Sequence, residues 1–292
     1  MMPRGEAPEW TDQPGDWFQA RAGDTVPGQV LPGGPPGPGR PGRTYSLRPR
    51  RRWVTVLRRT LAVLGVLILL AAAGFGGLLV VTPSVGDAQM LAQGQDSAHG
   101  VAYPGPPVPA RFAAALVATE DHRFYSTPGV DPLAVARLVW GNLTGHADQG
   151  GSTLEQQLAK NLYTSGRSGF TVETEQVVLA VKLDLHYTKA QILQMYAEIA
   201  YYGNNYYGLR QASCGYFGVE PANLSWPEAA FLAGVVNAPT ADDPRTNPQN
   251  ARNREVHVVG RLVSVGVLTQ AQAKTVLAQN LQLVPEGTGC SS

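Results

Sequence analysis

Thr188-Lys189-Ala190-Gln191-Ile192-Leu193-Gln194-Met195-Tyr196-Ala197-Glu198-Ile199 is the stretch on which the fold turns. Thr188 and Gln191 have the spacing of a capping box, in which a hydroxyl and an amide three residues on satisfy each other's backbone N–H groups. Ile192, Leu193, Tyr196 and Ile199 then recur every three or four residues, the period of one helix face. The pattern repeats downstream. Ser225 with Glu228 precedes Ala229, Phe231, Leu232 and Val235, and Thr269 with Gln272 opens a further segment. Upstream, Asp131-Pro132 offers an N-cap followed by proline at the first helical position, with Leu133, Ala136, Leu138 and Trp140 behind it. No alternating run bounded by hairpin turns competes with these helices. Residues 108–285 are therefore expected to form one all-α domain of about 180 residues without internal repeats.

Toward the N-terminus the composition changes twice. Leu61 to Val81 is 21 residues without a charge, and a hydrocarbon core needs roughly 20 apolar residues of helix. A buried soluble helix is rarely apolar on every side. A cleaved signal would have an n-region of about 60 residues, far beyond the usual total of about 15–30. The expectation is a retained transmembrane helix at 61–81. Arg48, Arg50, Arg51, Arg52, Arg58 and Arg59 precede it, and no acid lies between Asp24 and Asp87. Residues 51–60 thus read as a basic juxtamembrane segment, with the N-terminus cytoplasmic and 82–292 outside the plasma membrane. Residues 1–50 hold ten Pro and nine Gly, a composition that cannot bury enough apolar surface to order itself. They are expected to be a disordered tail. Residues 82–107, ending in Pro104-Gly105-Pro106-Pro107, read as a linker, and 286–292 as a terminal tail.

Charge divides along the same line. Residues 1–81 carry ten Arg against five acids, and 82–292 carry 13 basic against 17 acidic residues. The basic excess is confined to the anchor, so a nucleic-acid partner is not expected. Two cysteines, Cys214 and Cys290, are too few for a disulfide framework. Cys214 lies in the small-residue run 212–215, which suits close helix packing, and Cys290 lies in the tail. The reading favours two unpaired thiols, with a bridge as the alternative that an extracytoplasmic location allows.

Three segments do not look like ordinary helical surface. In Glu120-Asp121-His122-Arg123-Phe124, adjacent carboxylates end an apolar helix, where the helix dipole is also negative. A carboxyl held there against apolar neighbours has a raised pKa, which suits a general base or acid, although a solvated helix end has the same sequence. In Gly150-Gly151-Ser152-Thr153, glycines free the backbone and a hydroxyl caps a new helix, whose first N–H groups form an anion site. Gln156, Gln157, Lys160 and Asn161 add donors, so this segment reads as a phosphate or sugar cradle, or as a plain capped turn. Lys189, Tyr196 and the pairs Tyr201-Tyr202 and Tyr206-Tyr207 around Gly203 and Gly208 either line a sugar cleft or pack a core.

In their order, these segments resemble the motifs of the family 51 peptidoglycan glycosyltransferases. These lipid II polymerases occur as one-domain enzymes or as the first half of bifunctional penicillin-binding proteins. The first motif resembles Glu120-Asp121-x-x-Phe124 with Gly129 and Asp131, and the second Gly150-Gly151-Ser152-Thr153 with Gln156, Gln157, Lys160 and Asn161. Lys189-x-x-Ile192-Leu193 with Tyr196 and Gly203 is similar to the fourth, and Pro227-Glu228-Ala229-Ala230-Phe231 with Ala238-Pro239 to the fifth. The likeness covers about residues 108–283. It implies a lysozyme-like helical fold anchored beside a lipid-linked substrate, and an inverting glycosyl transfer. A base takes the proton of the acceptor's 4-hydroxyl, the oxygen attacks C1 of the growing chain, and undecaprenyl pyrophosphate leaves. On this resemblance Glu120 is the base. Asp121, Phe124, Gly150, Gly151, Ser152, Thr153, Gln156, Gln157, Lys160, Asn161, Lys189 and Tyr196 bind substrate. The implied partners are lipid II, the growing glycan strand, the plasma membrane and divisome or elongation proteins.

The third motif departs from the pattern. Where the family has Arg-Lys-x-x-Glu, this chain has Val172-Glu173-Thr174-Glu175-Gln176. Gln176 stands at the family's second glutamate. Glu173 shares its helix face and is a candidate substitute. Thr127 replaces a usual His, Glu155 a Thr, Gln194 a Glu and Glu198 an Asn. The added acids at 155, 173 and 198 suggest Mg²⁺ or Mn²⁺ at the pyrophosphate in place of the lost cations. None of the four Lys follows a Ser by three, so a penicillin-binding transpeptidase site is not expected. The five His lack metal-ligand spacing, and no structural zinc is expected. The leading expectation is an active glycan polymerase. The alternatives are a catalytically impaired member that binds lipid II or nascent glycan as a scaffold, and a glycan-cleaving enzyme.

Overall fold

The computed structural model describes residues 50–130 and 152–290. The disordered-tail reading, the helix start at Asp131-Pro132, and Gly150 and Gly151 lie outside these residues. The chain divides between Leu57 and Arg58 into two units. Among the described residues every regular element is helical, apart from one isolated bridge between Tyr201 and Tyr207.

Helix α1 is Arg50–Val81. It begins about ten residues before the expected span, because nothing in the arginine-rich segment breaks a helix. Its Trp53–Val81 part is 29 residues long, with none of its apolar window buried. It is long and apolar enough to cross a membrane.

The expected linker is in part structured. Ala88–Ala98 forms α2, with Ala88, Ala92 and Asp96 buried one turn apart. The stripe is made of alanine and aspartate, which is why its period does not stand out in the sequence. The preceding segment is tied down as well. Lys182 donates to the carbonyls of Thr82 and Pro83, Tyr187 to that of Val85, and Tyr163 to the Asp87 carboxylate.

Helices α3 (Ala110–Glu120), α4 (Leu154–Tyr163), α5 (Phe170–His186), α6 (Lys189–Ile199) and α7 (Gly208–Phe217) follow. A 3₁₀ turn (Pro221–Asn223) and α8 (Trp226–Val235), α9 (Pro248–Ser264) and α10 (Gln270–Leu277) complete the domain. The capping boxes at Thr188, Ser225 and Thr269 all form.

Helix α8 is the core of the domain. Pro227 and every residue from Ala229 to Val235 are buried, as expected of a helix apolar on all sides. It packs between α3 and α9. Gly234 allows the approach, since a Cβ there would come within 2.5 Å of Arg254. Phe112, Tyr202, Tyr216 and Phe231 fill the space around it with no exposure. For Tyr202 the packing reading therefore holds. Tyr201 is exposed and joins Tyr207 and His99 in a surface stack.

The expectation of unpaired cysteines is corrected. Cys214 and Cys290 form a disulfide across 76 residues. The chain after α10 returns to α7, where Val284 N–H donates to the Tyr216 carbonyl. Arg245 donates to the carbonyls of both Gly215 and Val284. This return delivers Cys290 to Cys214, so 286–290 is a tethered end. A pairing so distant in sequence leaves no local signal.

Candidate active site

The site is built where α3 ends and α4 begins. Glu120 is the last residue of α3, and Asp121 is its C-cap. The following loop turns back on α5 at Gly129, which has φ +64° and lies so close that a Cβ would be 2.6 Å from the Ala180 carbonyl. Thr153, the N-cap of α4, donates its hydroxyl to the Gly129 carbonyl at 2.7 Å. Asp121 accepts the backbone N–H of Leu154 at 3.3 Å. Asp121 thus joins the two helices: its backbone N–H caps the end of α3 on the Val117 carbonyl, and its carboxylate meets the positive end of α4.

Two of the N–H groups at the α4 start, where the sequence suggests an anion cradle, are taken up within the fold. The Leu154 N–H is given to Asp121, and the Gln156 N–H to the Thr153 hydroxyl. Gln156 turns back to accept the Thr153 N–H, completing a capping box. Thr153 and Gln156 are therefore occupied by the fold. The Thr-x-x-Gln spacing carried that signal in the sequence. Ser152 and Lys160 are exposed. Asn161 is half-buried, and its carbonyl accepts from Gln95.

Gln157 makes the contact that matters for chemistry. Its amide N–H donates to Glu120 Oε2 at 3.0 Å. Its carbonyl accepts the Tyr196 hydroxyl at 2.8 Å. The buried phenol fixes which end of the amide faces Glu120, and the amide donates to the carboxylate. Burial and the Glu120 charge both push the Tyr196 pKa up, so it stays a donor. The raised carboxyl expected at this helix end is that of Asp121. Burial is the cause, partly offset by the Leu154 and Arg123 N–H groups and by Lys189.

Lys189 is held inside the fold. Its ammonium meets Glu155 and Asp184 at 2.6 Å each and the Thr127 carbonyl at 2.8 Å, which satisfies its three donors. It also lies 4.8 Å from the centre of the buried Phe124 ring. Burial disfavours its charge, but the two carboxylates more than offset this and raise its pKa. Glu155 and the Thr127 carbonyl are thus its partners across the fold. Glu155 has no exposure, and burial raises its pKa against the pull of Lys189.

The segment 172–176 does not join this group. Val172 is buried in the core and Glu173 is exposed in the first turn of α5. Gln176 donates to the Thr164 hydroxyl at 2.8 Å, and Glu175 pairs with Arg167. No hydrogen bond or ion pair links Glu173 or Gln176 to Glu120. Gln194 and Glu198 lie elsewhere and clamp residues 105–108. Gln194 donates to the Pro106 carbonyl and accepts the Val108 N–H, while Glu198 accepts the Gly105 N–H. The acids at 155, 173 and 198 therefore do not converge on one metal site. Among the described residues Cys214, Glu220 and Cys290 form a cluster of metal-ligating types. Its sulfurs are joined to each other.

A family model described as transglycosylase matches residues 88–263, starting at α2. A Cupriavidus necator protein named as a transglycosylase is 35% identical over 176 residues, covering 60% of this chain and 76% of that protein. Penicillin-binding protein 1A of Neisseria flavescens is 38% identical over 57% of this chain, and penicillin-binding protein 1F of Bacillus subtilis 34% over 60%. The matches span only 21% and 25% of those two proteins. The crystal structure of penicillin-binding protein 1A from Haemophilus influenzae matches 63% of this chain and 18% of that chain, with a TM-score of 0.38 and 17% identity.

Proposed function

The chain belongs to the transglycosylase family, and on that premise we propose that it polymerises lipid II into peptidoglycan strands with Glu120 as the general base. The observation that carries this reading is the Glu120–Gln157–Tyr196 chain of hydrogen bonds. It holds a half-buried carboxylate in one orientation with one oxygen still free to accept. In the reaction Glu120 takes the proton of the acceptor 4-hydroxyl, that oxygen attacks C1 of the growing strand, and undecaprenyl pyrophosphate leaves with inversion. Proton removal by a positioned carboxylate contributes about 10²–10⁴-fold.

Helix α1 supports anchoring beside the lipid-linked substrate. The basic segment before it supports a cytoplasmic N-terminus, and the disulfide supports an oxidising compartment for the domain. Charge on the leaving pyrophosphate falls to Ser152 and the exposed Lys160, because Val172 and Glu173 replace the family's cations and Lys189 is bound internally. Mg²⁺ or Mn²⁺ arriving with the pyrophosphate is the natural supplement.

The position of Gln176 favours a second reading. An amide cannot titrate, and here it faces Thr164. A protein that binds lipid II or nascent glycan with little turnover, as a cell-wall scaffold, would have this site. Polymerisation of fluorescent lipid II by full-length protein in detergent, with and without Mg²⁺ or Mn²⁺, separates the two. Strands from wild type and none from Glu120→Gln are expected. Binding without strands under every condition gives the second reading.

A further inference from the structure

Asp96 on α2 and Glu198 on α6 are buried where the two helices pack together. Asp96 is 1% exposed and neither of its oxygens has a hydrogen-bond donor. Glu198 is 4% exposed. Its Oε1 takes the Gly105 N–H and the Gln194 amide, and its Oε2 has no donor. Burial first, and the Glu198 charge second, push the Asp96 pKa up to about 7. Burial pushes Glu198 up as well. The Tyr103 phenol faces both and is pushed up to about 12 by burial and by their charges. Among the described residues no cationic side chain offsets them. Gln194 is neutral, the exposed His99 is stacked on Tyr207, and Arg210 is paired with Glu220.

Buried carboxylates without a counter-charge are destabilising, so natural folds pair them, protonate them or give them a metal. Here three acceptor oxygens from two helices lack a donor. One shared proton satisfies a single O–H···O contact, uses two of the three oxygens and leaves the third bare. A cation can engage all three. The ligands are all oxygen, which selects hard cations over zinc or copper. Glu198 also lines a cavity of about 430 Å³ with Gly100, Val101, Pro104, Gln194 and Gln211, which gives a route from solvent.

We propose that Asp96 and Glu198 form a binding site for a hard divalent cation of the calcium–magnesium class, separate from the catalytic carboxylate. The bound cation cross-links α2, the helix that follows α1 in the chain, to α6. It also stiffens the 99–108 segment, which Glu198 and Gln194 already hold. Glu198 lies two residues beyond Tyr196, so the cation braces the helix that orients Gln157 from its other side. This inference is independent of whether the protein turns over lipid II.

The test is thermal unfolding of the full-length protein in detergent at neutral pH, in chelator and then in about 2 mM Ca²⁺, Mg²⁺ or Mn²⁺. Wild type is expected to gain several degrees from a cation that binds the folded state only. Asp96→Asn and Glu198→Gln are expected to lose that gain and, in chelator, to melt at or above wild type, because each removes a bare buried charge. A wild-type readout stands beside the variants. Tb³⁺, an oxygen-seeking lanthanide, is expected to show luminescence sensitised through Tyr103, displaced by Ca²⁺ and weakened by Tyr103→Phe. A melting temperature indifferent to all three cations overturns the proposal. So does a cation response that both carboxyl variants retain.

Discussion

Glu155 and Glu198 are both buried acids, and the protein treats them in opposite ways. Glu155 has an ammonium 2.6 Å away, itself shared with Asp184 and stacked on Phe124. Glu198 has two neutral donors on one oxygen and another carboxyl as its charged neighbour. Glu155, on α4, meets the first residue of α6, and Glu198 lies in the last turn of α6 itself. Burial alone says little about a carboxylate, and the charge that faces it decides whether it braces the fold or calls for a ligand.

The largest expected effect comes from breaking the compensated side. Lys189→Met strands Glu155 and removes the donor from Asp184 and the Thr127 carbonyl. Leaving a buried charge without its partner costs about 3–5 kcal/mol, read as loss of stability in denaturant titration of the full-length protein. Glu198→Gln, the matching change on the other face, is expected to cost nothing in chelator. A Lys189→Met protein as stable as wild type would erase the contrast between the two acids.

The same contrast shows what the sequence could and could not disclose. The helices were legible because their caps and apolar periods are local: Thr188 with Gln191, and Ser225 with Glu228, needed no knowledge of the rest of the chain. Glu120 was legible as the end of an apolar helix. The roles of Gln157 and Lys189 were not. Both are polar residues early in a helix, and only the approach of Glu120, Tyr196, Glu155 and Asp184 from other elements tells a positioning amide from a substrate donor. Helix α2 was missed because its buried stripe is Ala88, Ala92 and Asp96. The disulfide was missed because its halves are joined only by the chain's return to α7.

A smaller effect is expected from Tyr196→Phe, which keeps the buried ring and removes the hydroxyl that orients Gln157. Losing one such hydrogen bond costs about 0.5–1.5 kcal/mol, or roughly 2- to 12-fold in kcat. If Gln157 then flips, its carbonyl oxygen faces Glu120 and disfavours the carboxylate. Turnover is therefore expected to fall with KM little changed. A stability loss with unchanged turnover would make Tyr196 a packing residue only. An active Glu120→Gln would remove the premise itself.

The smallest expected effect is a slope, and it sharpens the contrast from the uncompensated side. Asp96 has a pKa of about 7 in the folded protein against an ordinary 3.8, so between those values the folded chain holds a proton that the unfolded chain releases. Its contribution to stability is complete below the unfolded value and is lost as pH rises through the folded one. Glu198, also raised, adds in the same direction, and Tyr103 titrates far above this window. In chelator, wild type is expected to melt progressively lower from pH 5 to pH 8 relative to Asp96→Asn, whose amide does not titrate. Adding Ca²⁺ is expected to flatten the wild-type curve, because the cation competes with the proton for the same oxygens. Parallel curves for the two proteins in chelator would mean that Asp96 has found a partner the geometry does not provide, and the acids at the two ends of α6 would then differ less than their neighbours suggest.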